Sequence, residues 1–295
     1  MPRNNIGCPV LVCLVGSRLL KCHSPRSDWD FIIGSIFPDF LLSVDREEKL
    51  ALYKYEYTTS IELNGYRAEL RVLPVEKIFT QTYNFSPSII EVIISITNGY
   101  SIGIGFNIEE LSEIYREIPP ECLALSMANY AYSFMKRYRR ATIDYAKRAF
   151  ETIRLLAFYY YLLEKNRLPP ADLEKIVVEL ESIDFDVPPY IRTLKQAFLE
   201  FIRRRKRGEV VPNWALDIIS IASTKIHQIM TRQIGEIKSK YGKYCNDRKE
   251  VYRTKLQKIY RKIVLQTITV ENKAKDRINT LKQTIFKAIE AYKSK

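Results

Sequence analysis

A short apolar run with a polar end decides the first part of the fold. Residues Val10–Val15 read VLVCLV, Gly16-Ser17-Arg18 follows at once, and ten residues separate Ser17 from the segment Asp28-Trp29-Asp30-Phe31. A continuous apolar run ending at Gly and Ser predicts a buried central strand, and the second segment predicts another strand. Because successive strand side chains alternate between faces, we expect Asp28 and Asp30 to project from the same face.

The neighbouring sequence predicts an α+β region over residues 1–118. Glu56–Leu63 and Tyr66–Leu73 alternate apolar and polar residues around Asn64-Gly65, which is a strong hairpin signal. Val75–Tyr83 and Pro87–Thr97 have the pattern of short helices. We therefore expect a mixed, largely antiparallel sheet with helices.

From about residue 119 the pattern becomes helical. We predict an all-helical bundle over residues 119–220, with helices at 121–140, 142–166, 171–182 and 190–207. Long basic helices are predicted over 221–295. Tyr252, Leu256, Ile259 and Ile263 form an apolar seam at helical spacing. Such a seam packs on other helices of the chain or on a second copy, which leaves a homo-oligomer open.

Composition narrows the class of protein. The chain has 295 residues, of which 46% are hydrophobic, so disorder is excluded as its main state. Apolar runs are far shorter than the ~20 residues that a spanning helix needs, so we expect no membrane partner. The chain has five cysteines, an odd number, and no CxxC pair, so we expect neither a structural zinc site nor a disulfide framework. This cysteine usage is typical of a reducing compartment, and we therefore expect a cytoplasmic location.

The charge of the chain is concentrated at one end. Residues 221–295 hold 19 basic and six acidic residues and carry the whole net charge of +13. Such a surplus favours a polyanionic partner, most often nucleic acid, although a solvated lysine-rich helical surface is the alternative. The candidate nucleic-acid-binding residues are Arg203, Arg204, Arg205, Lys206, Arg207, Lys249, Arg253, Lys258, Arg261 and Lys262.

Two carboxylates on one strand face and a Gly-Ser turn are suited to a metal-bound phosphate. Asp28 and Asp30 would repel each other unless a hard cation such as Mg²⁺ lay between them. Gly16 allows the backbone to approach a phosphate, and Ser17 can donate a hydrogen bond to it. The pattern therefore predicts a site for Mg²⁺, or Mn²⁺, with a nucleoside triphosphate.

At these residues the chain resembles a known family. Gly16-Ser17-Arg18 followed by Ser27-Asp28-Trp29-Asp30-Phe31 resembles the signature of DNA-polymerase-β-type nucleotidyltransferases, and in particular their uncharacterised "predicted nucleotidyltransferase" branch. Three further segments, Pro87–Ser95, Lys147–Leu156 and Phe201–Val210, resemble later parts of that branch. The likeness is spread thinly over about residues 9–230.

The resemblance implies a third carboxylate on a neighbouring strand. Glu69 projects from the polar face of the second hairpin strand and is the candidate, with Glu62 across the hairpin in reserve. The alternative is that Glu69 pairs with the arginines beside it. Asp28, Asp30 and Glu69 would then be both the metal ligands and the catalytic residues.

The resemblance also implies nucleotide contacts. The candidates for binding the nucleotide are Gly16, Ser17, Arg18, Lys147 and Arg154. Lys147, Glu151 and Arg154 lie at i, i+4 and i+7 and form one helical stripe, which either faces the cleft or is an ordinary ion-paired surface.

Three functions are compatible with these features. The first is transfer of a nucleoside monophosphate from an NTP to a hydroxyl acceptor, with release of pyrophosphate, and the basic C-terminal region favours RNA, such as tRNA, as the acceptor. The second is the same chemistry on a protein or small molecule. The third is a catalytically degenerate nucleic-acid-binding protein. Because the carboxylates precede residue 118, we expect removal of residues 247–295 to leave the metal site in place.

Overall fold

The protein is described here by a computed structural model. It describes residues 7–37, 56–128, 145–187, 190–268 and 274–294. The strands are β1 (Cys8–Val15), β2 (Trp29–Ile36), β3 (Tyr57–Leu63), β4 (Tyr66–Pro74) and β5 (Ser101–Gly103), in the spatial order β3-β4-β2-β1-β5. Strands β2 and β4 are parallel and the other neighbours are antiparallel, so the expected α+β class with a mixed, largely antiparallel sheet is confirmed.

The predicted hairpin is present between β3 and β4. Asn64 and Gly65 form its turn, with φ values of 49° and 82°, and Leu63 pairs with Tyr66. Along β4 the buried residues alternate with exposed ones, and Glu69 lies on the exposed side. The alternation fixes which side chains of β4 can reach a ligand.

Helices of the first region cover the sheet. They are α1 (Gly16–Leu19), α2 (Val75–Tyr83), α3 (Ile90–Thr97) and α4 (Ile108–Arg116), and a 3₁₀ turn at Pro87–Ile89 precedes α3. Strand β1 is buried along its whole length because helices and neighbouring strands enclose it.

The later part of the chain is helical, as its pattern predicts. Residues 120–128 are helical, and α5 (Tyr145–Lys165), α6 (Leu173–Glu179), α7 (Leu194–Arg207), α8 (Asn213–Ile268) and α9 (Ala274–Lys293) follow. Residues 129–140 of the predicted helix 121–140 lie outside the described residues. Helix α7 begins at a Thr193 capping box and ends at Gly208, which is left-handed with φ 70°.

The basic C-terminal helices are packed on the first region. Helix α8 has 56 residues and runs across the expected boundary at residues 220–221. Its seam is buried against the chain itself: Tyr252 packs edge-on to Phe85, and Tyr260 contacts Phe79 and Glu76. In α9, the Tyr292 hydroxyl donates to the Arg18 carbonyl at 2.7 Å. Removal of residues 247–295 would therefore also remove contacts to Phe79 and Arg18 of the first region, and the expectation that the metal site stays in place remains a prediction.

The structure contains a disulfide, contrary to the expectation from the cysteine pattern. Cys122 and Cys245 form a disulfide that joins the 120–128 segment to α8, whereas Cys8, Cys13 and Cys22 are buried and take no part in it. The two partners are 123 residues apart in the sequence, so only the packing of α8 beside the 120–128 segment brings them together. Within the described ranges, no helix is sufficiently long and apolar to cross a membrane.

Candidate active site

A cleft of about 580 Å³ lies where β1 ends and β2 begins. One wall comes from the sheet and the other from helices α3, α5 and α7. Seven of the predicted site residues line it, and they are Gly16, Ser17, Asp30, Glu69, Lys147, Arg154 and Arg205. Residues from distant parts of the sequence thus meet in one place.

The sheet wall carries the acidic groups. Asp30 lies opposite Glu69 in the parallel β2–β4 register and opposite Val15 in the antiparallel β1–β2 register. Burial raises the pKa of the Asp30 carboxyl to about 6, and the nearby carboxylates of Glu69, Glu91 and Asp28 add to the increase. The Asp30 carboxylate is therefore held in an unfavourable environment that a cation would relieve.

Gly16 allows the turn to pass close to this carboxylate. Its φ is +73°, and a Cβ at this position would overlap the Asp30 carboxylate. Both facts favour glycine, because other residues rarely adopt a positive φ and none would leave this space empty. The Gly16 N–H faces the cleft and donates to Oε2 of Glu91 at 2.9 Å.

The helical wall carries the basic groups. Arg154 on α5 donates to the carboxylates of Glu91 and Glu151, and Lys147 lies on the exposed part of the same stripe. From α7, Arg205 places its guanidinium 5.0 Å from the centre of the Phe150 ring. The Arg205 Nε is buried and has no hydrogen-bond partner among the residues that the structure describes.

Two predicted residues take other positions. The Arg18 guanidinium stacks on Trp29 at 4.2 Å and donates to the backbone carbonyls of Ser27 and Asp28, so it fixes the loop before β2 and does not line the cleft. Asp28 lies beside the cleft, 3.9 Å from Nε of Arg67, with 43% of its side chain exposed. Its charge nevertheless contributes to the raised pKa of Asp30.

The two glutamates of the hairpin are clearly distinguished. Glu69 is on β4, directly beside Asp30 on β2. Glu62 is one strand further away, on β3, where it lies opposite Arg67 in the β3–β4 register. Glu69 also lines the cleft and Glu62 does not. The register therefore favours Glu69 over Glu62 as the third carboxylate.

The donor chemistry of the sheet wall suits a hard divalent cation. Asp30 and Glu69 supply carboxylate oxygens from neighbouring strands, and Asp28 is close enough to interact electrostatically with Asp30. In the described part of the chain, no three His, Cys, Asp or Glu side chains are gathered as a ready-made metal site. A cation held by Asp28 as well as Asp30 and Glu69 would compete with Arg67 for the Asp28 carboxylate.

The predicted nucleic-acid-binding residues fall into two groups. On α7, Arg203 and Lys206 pair with Glu174 at 2.8 and 2.6 Å, Arg204 pairs with Glu200 and Glu209, and Arg207 is 4.0 Å from Glu209. On α8, Lys262 pairs with Glu110 at 2.7 Å and Arg253 with Glu250 at 3.4 Å. Lys258 and Arg261 are exposed on the side of α8 away from its buried seam, whereas Lys249 is half-exposed and lies on a different side of the helix, closer to the seam.

Two cleft residues were missed or misplaced by the sequence reasoning. Glu91 had no predicted role, and Arg205 was grouped with surface cations. A signal for Glu91 was present: it is the one charged residue of α3, whose other residues are mostly buried and apolar. A charge in such a helix requires a partner, because an unpaired buried charge is costly.

Comparison with known proteins gives little further information. No family model matches the chain, and no curated protein matches it. A solved structure of a nucleotidyltransferase-like protein from Exiguobacterium sibiricum is similar over 97% of this chain and 85% of that chain, with 11% identity and a TM-score of 0.27. A TM-score of 0.27 is too low to establish a shared fold, so functional conclusions depend on the cleft itself.

Proposed function

We propose that this protein is a metal-dependent nucleotidyltransferase that transfers a nucleoside monophosphate from an NTP to a hydroxyl acceptor. The observation that carries the proposal is the division of charge across the cleft. Asp30 and Glu69 are on one wall, and Lys147, Arg154 and Arg205 are on the other, where Glu91 and Glu151 pair with Arg154. A metal-bound triphosphate is complementary to this arrangement, because it presents a cation to the carboxylates and anionic oxygens to the basic groups.

The proposed function assigns metal binding and triphosphate binding to different residues of the cleft. Asp30 and Glu69, joined by Asp28, would hold Mg²⁺ or Mn²⁺, which when bound supplies charge stabilisation to the transferring phosphoryl group. Gly16 and Ser17 would hold the triphosphate together with basic groups of the helical wall.

Glu69 is suited to accept the proton of the attacking hydroxyl, since it is on the more exposed side of the acidic wall. The new bond joins the acceptor oxygen to the α-phosphorus, the α–β bridging bond breaks, and pyrophosphate leaves.

RNA is the proposed acceptor. Lys258 and Arg261 lie about one helical turn apart on the solvent side of α8, whereas the other side of this helix is buried in the protein. Phosphate contacts need closely spaced cations without strict geometry, so this surface is suited to a nucleic-acid backbone.

The test of the activity uses NTPs labelled at the α-phosphate, incubated with Mg²⁺, the full chain and total RNA. We expect label in RNA from the wild type and none from Asp30→Asn. The matched control is Asp184→Asn, at an exposed aspartate of the linker between α6 and α7, which should transfer label as the wild type does. Label found in protein or in a small molecule would show that the acceptor is not RNA. The absence of label from every fraction would contradict the proposed reaction.

The acceptor surface has its own test. Replacing Lys258 and Arg261 together by Gln should weaken RNA binding and reduce the slope of log K against log salt by about 1.4–1.8, at roughly 0.7–0.9 per phosphate contact. Lys238 and Lys240, exposed on an earlier turn of α8, provide the matched pair. An unchanged slope would show that these two residues do not contact RNA.

A further inference from the structure

The cleft already contains an anion at the groups that a phosphate would use. Oε2 of Glu91 accepts the hydrogen bond of the Gly16 N–H at 2.9 Å, and Oε1 accepts from Arg154. The Glu91 side chain is only 13% exposed, so solvent does little to weaken these contacts. A single carboxylate therefore links the Gly-Ser turn at the end of β1 to the basic wall of α5.

We infer that Glu91 is a displaceable internal anion that determines which phosphate ligands can enter the site. The inference rests on the proposed function and adds a residue to it. A ligand phosphate can reach the Gly16 N–H only by taking the place of the Glu91 carboxylate. The same displacement breaks the contact of Glu91 with Arg154, which then keeps Glu151 as its partner.

The arrangement selects for ligands with several phosphate groups. Lys147 is exposed and Arg205 lines the cleft, so the side chains of both residues can contact outer phosphates before Glu91 moves. A ligand that contacts these groups can compensate for the contacts that Glu91 loses. A lone phosphate makes too few contacts to do so, and the carboxylates of Asp30 and Glu91 repel it.

Glu91→Gln is the informative variant. Glutamine has nearly the shape of glutamate, so packing is retained, but it lacks the charge that holds Arg154 and repels a phosphate. We expect the variant to bind magnesium tripolyphosphate about tenfold more tightly than the wild type, measured by calorimetry on the full chain, since a charged hydrogen bond no longer has to be broken. Glu151→Gln is the matched control, because Glu151 contacts Arg154 but not Gly16, and its gain should be smaller than about threefold.

The Gly16 amide can be observed directly. Val15-Gly16 is the only Val-Gly pair in the sequence, so labelling valine carbonyls with ¹³C and glycine amides with ¹⁵N gives one correlated signal. This signal should shift when tripolyphosphate is added to the wild type. In Glu91→Gln it should differ before the addition and respond at lower concentration.

The outcomes separate the two proposals. If tripolyphosphate binds the wild type and moves the Gly16 signal, but Glu91→Gln binds no more tightly, Glu91 is not a competitor and the inference fails while the site remains. Weaker binding by Glu91→Gln would mean that Glu91 supports the ligand, which also overturns the inference. If neither protein binds tripolyphosphate, the proposed function fails and the inference fails with it. Should Glu91→Gln not fold, an unmoved Gly16 signal in the ligand-saturated wild type overturns the inference alone.

Discussion

Replacing Asp30 by asparagine should make the folded protein more stable at neutral and alkaline pH. The side chain has almost the same shape in both forms, so packing around Gly16 is preserved. What changes is the charge that burial and the carboxylates of Glu69, Glu91 and Asp28 make unfavourable. The variant therefore measures how strongly the cleft resists a negative charge.

The sign and size of the effect follow from the pKa of Asp30. The folded-state pKa of about 6 lies above the ordinary value of 3.8, so the folded protein binds the extra proton between about pH 4 and 6. Stability therefore falls as pH rises through this window, and the cost is complete above it. A shift of about two units corresponds to at most ~3 kcal/mol, and solvent screening of this partly exposed group reduces it to about 1–2 kcal/mol.

The assay is thermal unfolding followed by circular dichroism at pH 8 and pH 4. At pH 8 we expect Asp30→Asn to unfold about 2–3 °C above the wild type, and at pH 4 the two should nearly coincide. Asp184→Asn, at an exposed position, should change the free energy of unfolding by less than about 0.5 kcal/mol at either pH.

A divalent cation provides the second half of the experiment. Mg²⁺ at ten times its dissociation constant should stabilise the wild type at pH 8 by about 1.4 kcal/mol, because it binds the folded state, and should stabilise Asp30→Asn much less. The reasoning is refuted if the variant is no more stable than the wild type at pH 8, or if its advantage persists at pH 4. Equal stabilisation of both proteins by Mg²⁺ would remove Asp30 from the metal site.

Three further predictions concern the hairpin, the C-terminal helix and the disulfide. Glu69→Gln should lower the turnover number far more than it weakens NTP binding, because the proposed role of Glu69 is at the acceptor hydroxyl. Glu62→Gln should retain the turnover number. If steady-state kinetics gave the reverse result, the third metal ligand would be Glu62 on β3. Tyr292→Ala should lower the free energy of unfolding by about 1–3 kcal/mol and Tyr292→Phe by about 1 kcal/mol, as measured by urea unfolding, because the ring contacts three aromatic side chains and the hydroxyl donates to a carbonyl. Equal stability of all three proteins would show that α9 does not support the fold. A thiol titration in denaturant should find three free thiols of five, because Cys122 and Cys245 are joined, and five reactive thiols before reduction would contradict the bond.

The contribution of the sequence is clearest where a local rule acts. The Asn64-Gly65 hairpin, the Gly208 end of α7 and helix α2 over Val75–Tyr83 are confirmed. Each depends on residues close together in the chain, such as a turn that needs positive φ or an apolar stripe at helical spacing. The alternation of strand side chains likewise predicts that Glu69 projects from the polar face of β4, as it does in the structure.

Long-range packing decided what local patterns could not. The register of β2 with β4 places Glu69, and not Glu62, beside Asp30. The fold of α3 and α5 brings Glu91 to Gly16 and Arg154 across sequence separations of 75 and 63 residues. No local pattern encodes such contacts, because they depend on how elements distant in the chain pack together.

The C-terminal region shows the same division between sequence and structure. The spacing of residues along the sequence determined that α8 has a basic side and an apolar seam, because residues three or four apart lie on the same face of a helix. Whether the seam would cover another copy or the chain itself depended on the shape of the first region. The tertiary structure buries Tyr252 and Leu256 against that region and brings Tyr292 to the carbonyl of Arg18, because docking there buries apolar surface that would otherwise face water.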